Sequence, residues 1–191
     1  MSHRPGLDKE VVVKAAAEMV NEQGLEGLTL NRLAAKLGVQ TPSLYNHIDG
    51  LPGLLQELAL LSTRSLGECL AKAAIGKSGP QALMDLAQSY RSYIKDNPGL
   101  YLASLRASRN QQPVNDRLAA AEERVVDIVL AVMASFGLHG EDALHAVRGL
   151  RSLVHGFATL ELAGGFGLPL DCDESFRRLV NLLVQGLTRS T

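Results

Sequence analysis

The sequence predicts an all-α protein of about nine helices, with an N-terminal helix-turn-helix followed by a longer helical body. Three observations predict it. Apolar residues recur at three- and four-residue spacing along most of the chain, and no stretch alternates with the period of a strand. Gly and Pro fall mostly between those runs, where they punctuate them. The stretch Thr29 to Leu55, TLNRLAAKLGVQTPSLYNHIDGLPGLL, reads as two short helices around a tight Gly turn, running into the start of a long third one.

Residues 1–7 read as an arm whose only Lys or Arg is Arg4. Asp8 caps a first helix that ends at Gly24 and buries Val12, Ala16, Met19 and Val20. Leu25 to Leu28 is a link. Thr29 is a fitting cap for the next helix, with Leu28 placed to pack on Leu33 as a hydrophobic staple. Leu30, Leu33, Ala34 and Leu37 form its apolar face, and Gly38 stops it in a left-handed conformation. Thr41 is expected to cap the second helix with Pro42 at its first position. Leu44 and Ile48 then face inward, leaving Thr41, Ser43, Tyr45, Asn46 and His47 outward. A long fourth helix is expected from Asp49 to about Ile75, with Leu54, Leu55, Leu58, Leu61 and Leu66 on its apolar face.

Ile75–Pro80 reads as a linker between head-plus-connector and the rest. Its Gly-Lys-Ser lacks the upstream Gly and preceding strand of a phosphate-binding loop. Helices are then expected over Gln81–Lys95, Leu100–Ser108, Val114–Phe136, Glu141–Ala163 and Asp173–Thr188. The breaks between them are Asn97-Pro98-Gly99, Gln111-Gln112-Pro113, Gly137–Gly140 and the Gly164–Pro169 loop.

Composition excludes several classes. The 191 residues are 46% apolar and 20% charged, as in globular proteins, with no uncharged apolar run that would span a membrane. MSHRPGLDKE has no apolar signal region, so a cytoplasmic protein is expected. Cys69 and Cys172 are isolated, without metal or redox spacing, and no cofactor motif is present. No His-Glu-x-x-His, nucleophile elbow or Gly-rich strand turn points to an enzyme. The net charge is −1, and residues 1–50 hold more acids than bases. Any affinity for phosphates therefore depends on cations placed locally.

The ordered run T-L-x-x-L-A-x-x-L-G-V-x-x-x-S-L-Y-x-H, from Thr29 to His47, resembles the TetR family of bacterial transcriptional repressors. The likeness is detailed from about Leu7 to about Leu70. It implies a DNA-binding domain over 1–50 and an effector-binding and dimerisation domain over 51–191, with 51–75 as the connecting helix. It also implies a homodimer whose two heads sit about one DNA turn (~34–36 Å) apart on a palindromic operator. By the same motif Thr41, Pro42, Ser43, Tyr45, Asn46 and His47 touch DNA, joined by Arg4 from the arm. Ser43 and Asn46 suit base edges, Pro42 a thymine methyl, and Tyr45 and His47 phosphates. The family commonly has a Lys where Leu51 stands and an aromatic where Ile48 stands. The first departure removes a phosphate contact and leaves more to Tyr45, His47 and the backbone N–H groups that open the fourth helix.

The resemblance further implies an effector pocket in the body, for an unidentified small molecule. Tyr90, Tyr93, Tyr101, Met133, Phe136, Arg151, His155 and Phe157 are its candidate lining, since tyrosine combines ring area with a hydroxyl. Arg148, Arg151 and His155 form a row at i, i+3, i+7; they either pair with acids of the last helix or a second subunit, or take an anionic effector. Leu-Val-His-Gly at 153–156 is similar to a subgroup of these C-terminal domains marked by Trp-His-Gly, with Val154 in place of the Trp. The apolar hairpin of the last two helices predicts a two-fold interface built on Leu150, Phe157, Phe176, Leu179, Leu183 and Leu187. The rival reading is a helical small-molecule carrier or protein-interaction module without DNA function.

Overall fold

The computed structural model describes residues 7–107 and 115–189, so Arg4, Ser108, Gln111–Pro113 and Val114 lie outside the described residues. The described residues form nine α-helices and no strand. These are α1 (Lys9–Gln23), α2 (Leu30–Leu37), α3 (Thr41–Leu44), α4 (Gly50–Ala74), α5 (Gly79–Asp96), α6 (Pro98–Ala107), α7 (Asp116–Ala134), α8 (Gly140–Leu162) and α9 (Cys172–Arg189). Packing divides the chain into two compact units, Met1–Thr63 with Asn97–Ala119, and Arg64–Asp96 with Ala120–Thr191. Helices α4 and α7 each contribute residues to both.

The first unit is a helical head. The Asp8 side chain accepts from Val11 N–H at 2.8 Å and caps α1. A single 3-10 turn, Leu25–Gly27, forms the link to α2. The Thr29 hydroxyl accepts from Arg32 N–H at 3.3 Å. Gly38 closes α2 at φ 69°, with Gly38 N–H donating to Ala35 O and Val39 N–H to Ala34 O, a Schellman motif. Leu28 and Leu33, the expected staple pair, are both buried in the same core as Val12, Ala16, Val20, Leu44, Ile48, Leu54 and Leu58. Each fully buried leucine is worth about 2 kcal/mol relative to exposure.

Helix α6 completes this core although it lies far along the chain, and the join depends on Gly99. A Cβ on Gly99 would lie 1.8 Å from Val20 O, so α6 meets the α1 backbone where only glycine fits. The Asn21 side chain secures the contact, its Oδ1 accepting from Leu100 N–H at 2.9 Å and its Nδ2 donating to Asn97 Oδ1 at 3.3 Å.

The second unit packs α5 against α8 and α9 around Leu83, Leu86, Ile94, Leu150, Val154, Phe176 and Val180. Gly79 N–H, at the start of α5, donates to Ser135 Oγ just beyond α7, at 2.8 Å. Asp171 precedes α9 and accepts from Asp173 N–H at 2.9 Å through Oδ1.

Several boundaries differ from the sequence expectation. Pro98 opens α6 rather than belonging to a break, and Asn97 alone separates α5 from α6. The lost proline N–H costs nothing in a first turn, where no intrahelical acceptor exists. Gly79 and Pro80 likewise open α5 instead of closing a linker. Helix α3 is only four residues long. Its N-cap is Gln40, not Thr41, and it carries no side-chain cap. The Thr41 hydroxyl instead donates to Asn31 Oδ1 at 2.9 Å, so it ties α3 to α2.

Candidate functional site

In the head, the segment after Gly38 turns its polar side chains away from the core. Leu44 and Ile48 are buried, while Pro42, Tyr45 and Asn46 are exposed and Thr41, Ser43 and His47 half-exposed. Beyond Leu44 the chain keeps turning, with His47 N–H at 2.9 Å and Ile48 N–H at 3.0 Å from Leu44 O. Leu44 and Ile48 thereby stay one turn apart although regular helix has ended. The outcome is a helix, a left-handed Gly turn and a second, short helical segment with a polar outer face. Tyr45, at 59% exposure, offers a large ring and hydroxyl to whatever lies beyond.

The surrounding cations are largely engaged. Arg32 donates to Gly27 O at 2.8 Å and to the Gln23 side-chain oxygen. Lys36 pairs with Glu18 at 3.1 Å, Lys9 and Arg117 both reach Glu57, and Arg106 pairs with Glu26. Among the described Lys and Arg of this unit, only Lys14 has no such partner.

The body residues divide as follows. Tyr90, Tyr93, Met133, Phe136, Phe157 and the half-buried His155 belong to the second unit; Tyr101 is buried in the first unit, on α6. Arg148 and Arg151 are exposed on α8 and form no ion pair among the described residues, so pairing with α9 acids is not their role within the chain. Burial, reinforced by the neighbouring Arg151 charge, holds the His155 imidazole below its ordinary pKa. Leu150, Phe157 and Phe176 are buried inside the single chain, whereas Leu179, Leu183 and Leu187 are partly exposed along α9.

The α9 acid is taken by a residue the sequence did not single out. Arg91 of α5 is 1% exposed and meets Glu161 of α8 in a fork, Nε to Oε2 at 2.8 Å and Nη2 to Oε1 at 2.7 Å. Its Nη1 donates to Asp173 Oδ1 of α9 at 2.7 Å, and Lys95 adds a 2.6 Å pair to Glu161. Burial opposes the Arg91 charge, but the two carboxylates outweigh it and keep the guanidinium ionised. In return Arg91, with Lys95, holds Glu161 below the usual carboxylate range. An Arg at a buried helical position looks like any solvated helix cation until its partners, 70 and 82 residues away, are in place.

Residues 12–57 match the bacterial regulatory proteins of the tetR family, and residues 83–183 match the tetracyclin repressor-like C-terminal domain. The HTH-type transcriptional regulator YobS of Bacillus subtilis, itself uncharacterized, is 35% identical over 188 residues, covering 98% of this chain and 96% of its own. The chain belongs to the TetR family. It is a DNA-binding transcriptional regulator, and the polar outer face of α3 is part of its helix-turn-helix. Among solved structures of the same fold, a protein of unknown function from Rhodococcus sp. RHA1 superposes with a TM-score of 0.79 at 20% identity, covering 100% of this chain and 98% of that one. A TetR variant from Acinetobacter baumannii AYE in complex with minocycline gives 0.71 at 24% identity, covering 96% and 97%. Among the described residues no helix is long and apolar enough to cross a membrane, and no His, Cys, Asp and Glu group could hold a metal ion.

Proposed function

We propose that this TetR-family regulator is a cytoplasmic repressor that binds a palindromic operator as a homodimer and releases it when a small molecule fills the body. The observation that carries the reading is the outward set Thr41, Pro42, Ser43, Tyr45, Asn46 and His47 around a buried Leu44 and Ile48. Short polar groups at the leading edge of such a segment suit base edges, with Asn46 able to bond an adenine through both amide atoms. Tyr45 and His47 serve phosphates, helped by the N–H groups opening α4 and by Arg4. In this reading residues 1–50 read DNA, and residues 51–191 bind effector and partner.

Dimerisation rests on α8 and α9, where Leu160 and Leu182 are exposed and Leu179, Leu183 and Leu187 partly exposed. A second copy is the natural cover for such a face. The minocycline complex of the Acinetobacter protein supports a small-molecule effector here as well. Kinship with the Trp-His-Gly subgroup rests on His155 and Gly156 alone.

A mobility-shift titration against the DNA flanking its own gene tests the reading. The regulator gives a sequence-specific, salt-sensitive shift at nanomolar protein, with the stoichiometry of a dimer. A helical carrier or protein-binding module gives none.

A further inference from the structure

We propose that the Arg91 cluster is a binding site for a small carboxylate with an apolar body, kept closed by a pseudo-ligand that the chain itself supplies. The Arg91 guanidinium lies 5.3 Å from the Phe157 ring centroid and 4.9 Å from that of Phe176. The two rings meet edge to face at 5.1 Å. A planar cation beside aromatic surface is the chemistry that receives a carboxylate joined to a hydrocarbon. Burying such an ion cluster gains little stability over apolar packing of the same volume, so stability alone does not account for it.

Two of the groups that fill the cluster come from neighbouring surface positions, Phe166 within the segment that joins α8 to α9 and Asp173 in the first turn of α9. Phe166, 39% exposed, lays its ring on Phe157 at 4.7 Å. Seven residues on, the Asp173 carboxylate takes Arg91 Nη1, although its own side chain is 77% exposed. The segment between α8 and α9 carries Gly164, Gly165 and Gly167, and its Leu168 and Leu170 project into solvent at 75% and 70% exposure. An apolar group and a carboxylate presented together are the two halves of an arylalkanoate or a fatty acid.

The division of labour within the cluster fits an exchange. Glu161 holds Arg91 through both oxygens and is steadied by Lys95, so it stays. Only the Nη1 contact is made by the first turn of α9, through a side chain that largely faces solvent. When a ligand carboxylate replaces that of Asp173, the charge of the cluster is unchanged, and Asp173 passes to water that it already largely faces. Phe166 moves out as the apolar body of the ligand moves in. That this site is the effector site rests on the regulator reading above; the site itself does not.

Calorimetric titration of the full chain with 3-phenylpropionate and octanoate, each against its amide, tests the proposal. The wild type is expected to bind the acids saturably at one per chain and not the amides. Asp173→Asn and Phe166→Ala, both at exposed positions, bind the acids at least tenfold more tightly because the built-in competitor is weakened. Arg91→Lys keeps the charge, loses the fork and binds at least tenfold more weakly. Absence of saturable binding in the folded wild type and in both weakened-competitor variants overturns the site, as does equal binding of acid and amide. Acid binding that leaves operator affinity unchanged overturns only the effector role.

Discussion

Gly99 has no room for a side chain. Its missing Cβ would sit 1.8 Å from Val20 O and 2.3 Å from Val20 C, and a backbone cannot swing aside as a flexible side chain would. Gly99→Ala therefore destabilises the head by about 3 kcal/mol, the upper part of the overpacking range, seen as a lowered midpoint in thermal or urea unfolding. Gly38 is limited differently. Nothing lies within 4 Å of its Cβ position, but φ 69° is left-handed, so Gly38→Ala costs about 1 kcal/mol from backbone strain. The contrast explains what was legible at this scale. Asp8, Thr29 and Gly38 act on neighbours within five residues, so their roles can be read from the string. Gly99 acts on a helix some 80 residues earlier, and nothing local marks it. Thr41 was misread for a related reason, since its hydroxyl had a distant competitor in Asn31.

At the scale of elements, α5, α8 and α9 are joined by one charge cluster. Removing Glu161 leaves Arg91 buried with Asp173 as its remaining described carboxylate partner. Glu161→Ala is expected to cost about 2–3 kcal/mol, below the usual figure for breaking a deeply buried pair because Glu161 keeps some access to water. The same bond sets an acid limit. The Arg91 hydrogen bond, with Lys95, lowers the Glu161 pKa in the fold. Its stabilisation is complete above the ordinary carboxylate value and is lost as pH falls through the lower folded one. Denaturant midpoints of Glu161→Gln should thus fall less steeply than wild type below about pH 4.3. His155 acts higher on the scale. Burial and Arg151 disfavour its protonation, so the fold loses stability as pH drops below about 6.5, and His155→Gln flattens that slope. The order of helices was legible because each carries its own apolar period. Their grouping was not: α6 packs with the head because of Gly99 and Asn21, a tertiary choice that periodicity does not encode.

For the whole molecule, charge decides how DNA is held. The described cations of the head are mostly spent on Glu18, Glu26, Glu57 and the Gln23 and Gly27 oxygens, and the chain carries a net −1. On the proposed reading, neutral side chains and helix N–H groups do most of the holding. The slope of log affinity against log salt is accordingly expected to be no steeper than about −4 for a dimer, two phosphates per head at ~0.9 each. A slope of about −7 would mean that the Lys36–Glu18 and Arg32 contacts open on the duplex and neutralise two further phosphates per head. The helix-turn-helix was legible because the Thr29–His47 motif is contiguous. The buried charge cluster of the body is assembled from residues 91, 157, 161, 173 and 176, too far apart in the chain to show as a motif, whereas the row Arg148, Arg151 and His155 stands out because it lies on one helix. The most direct test is the affinity of Ser43→Ala/Asn46→Ala for the DNA flanking the gene, measured beside wild type by fluorescence anisotropy. Both positions face outward, so the fold and its unfolding midpoint should be unchanged while specific affinity falls at least tenfold and nonspecific affinity does not move. Equal specific affinity in the doubly substituted protein would contradict the account, because the surface it assigns to DNA would then not touch the bases.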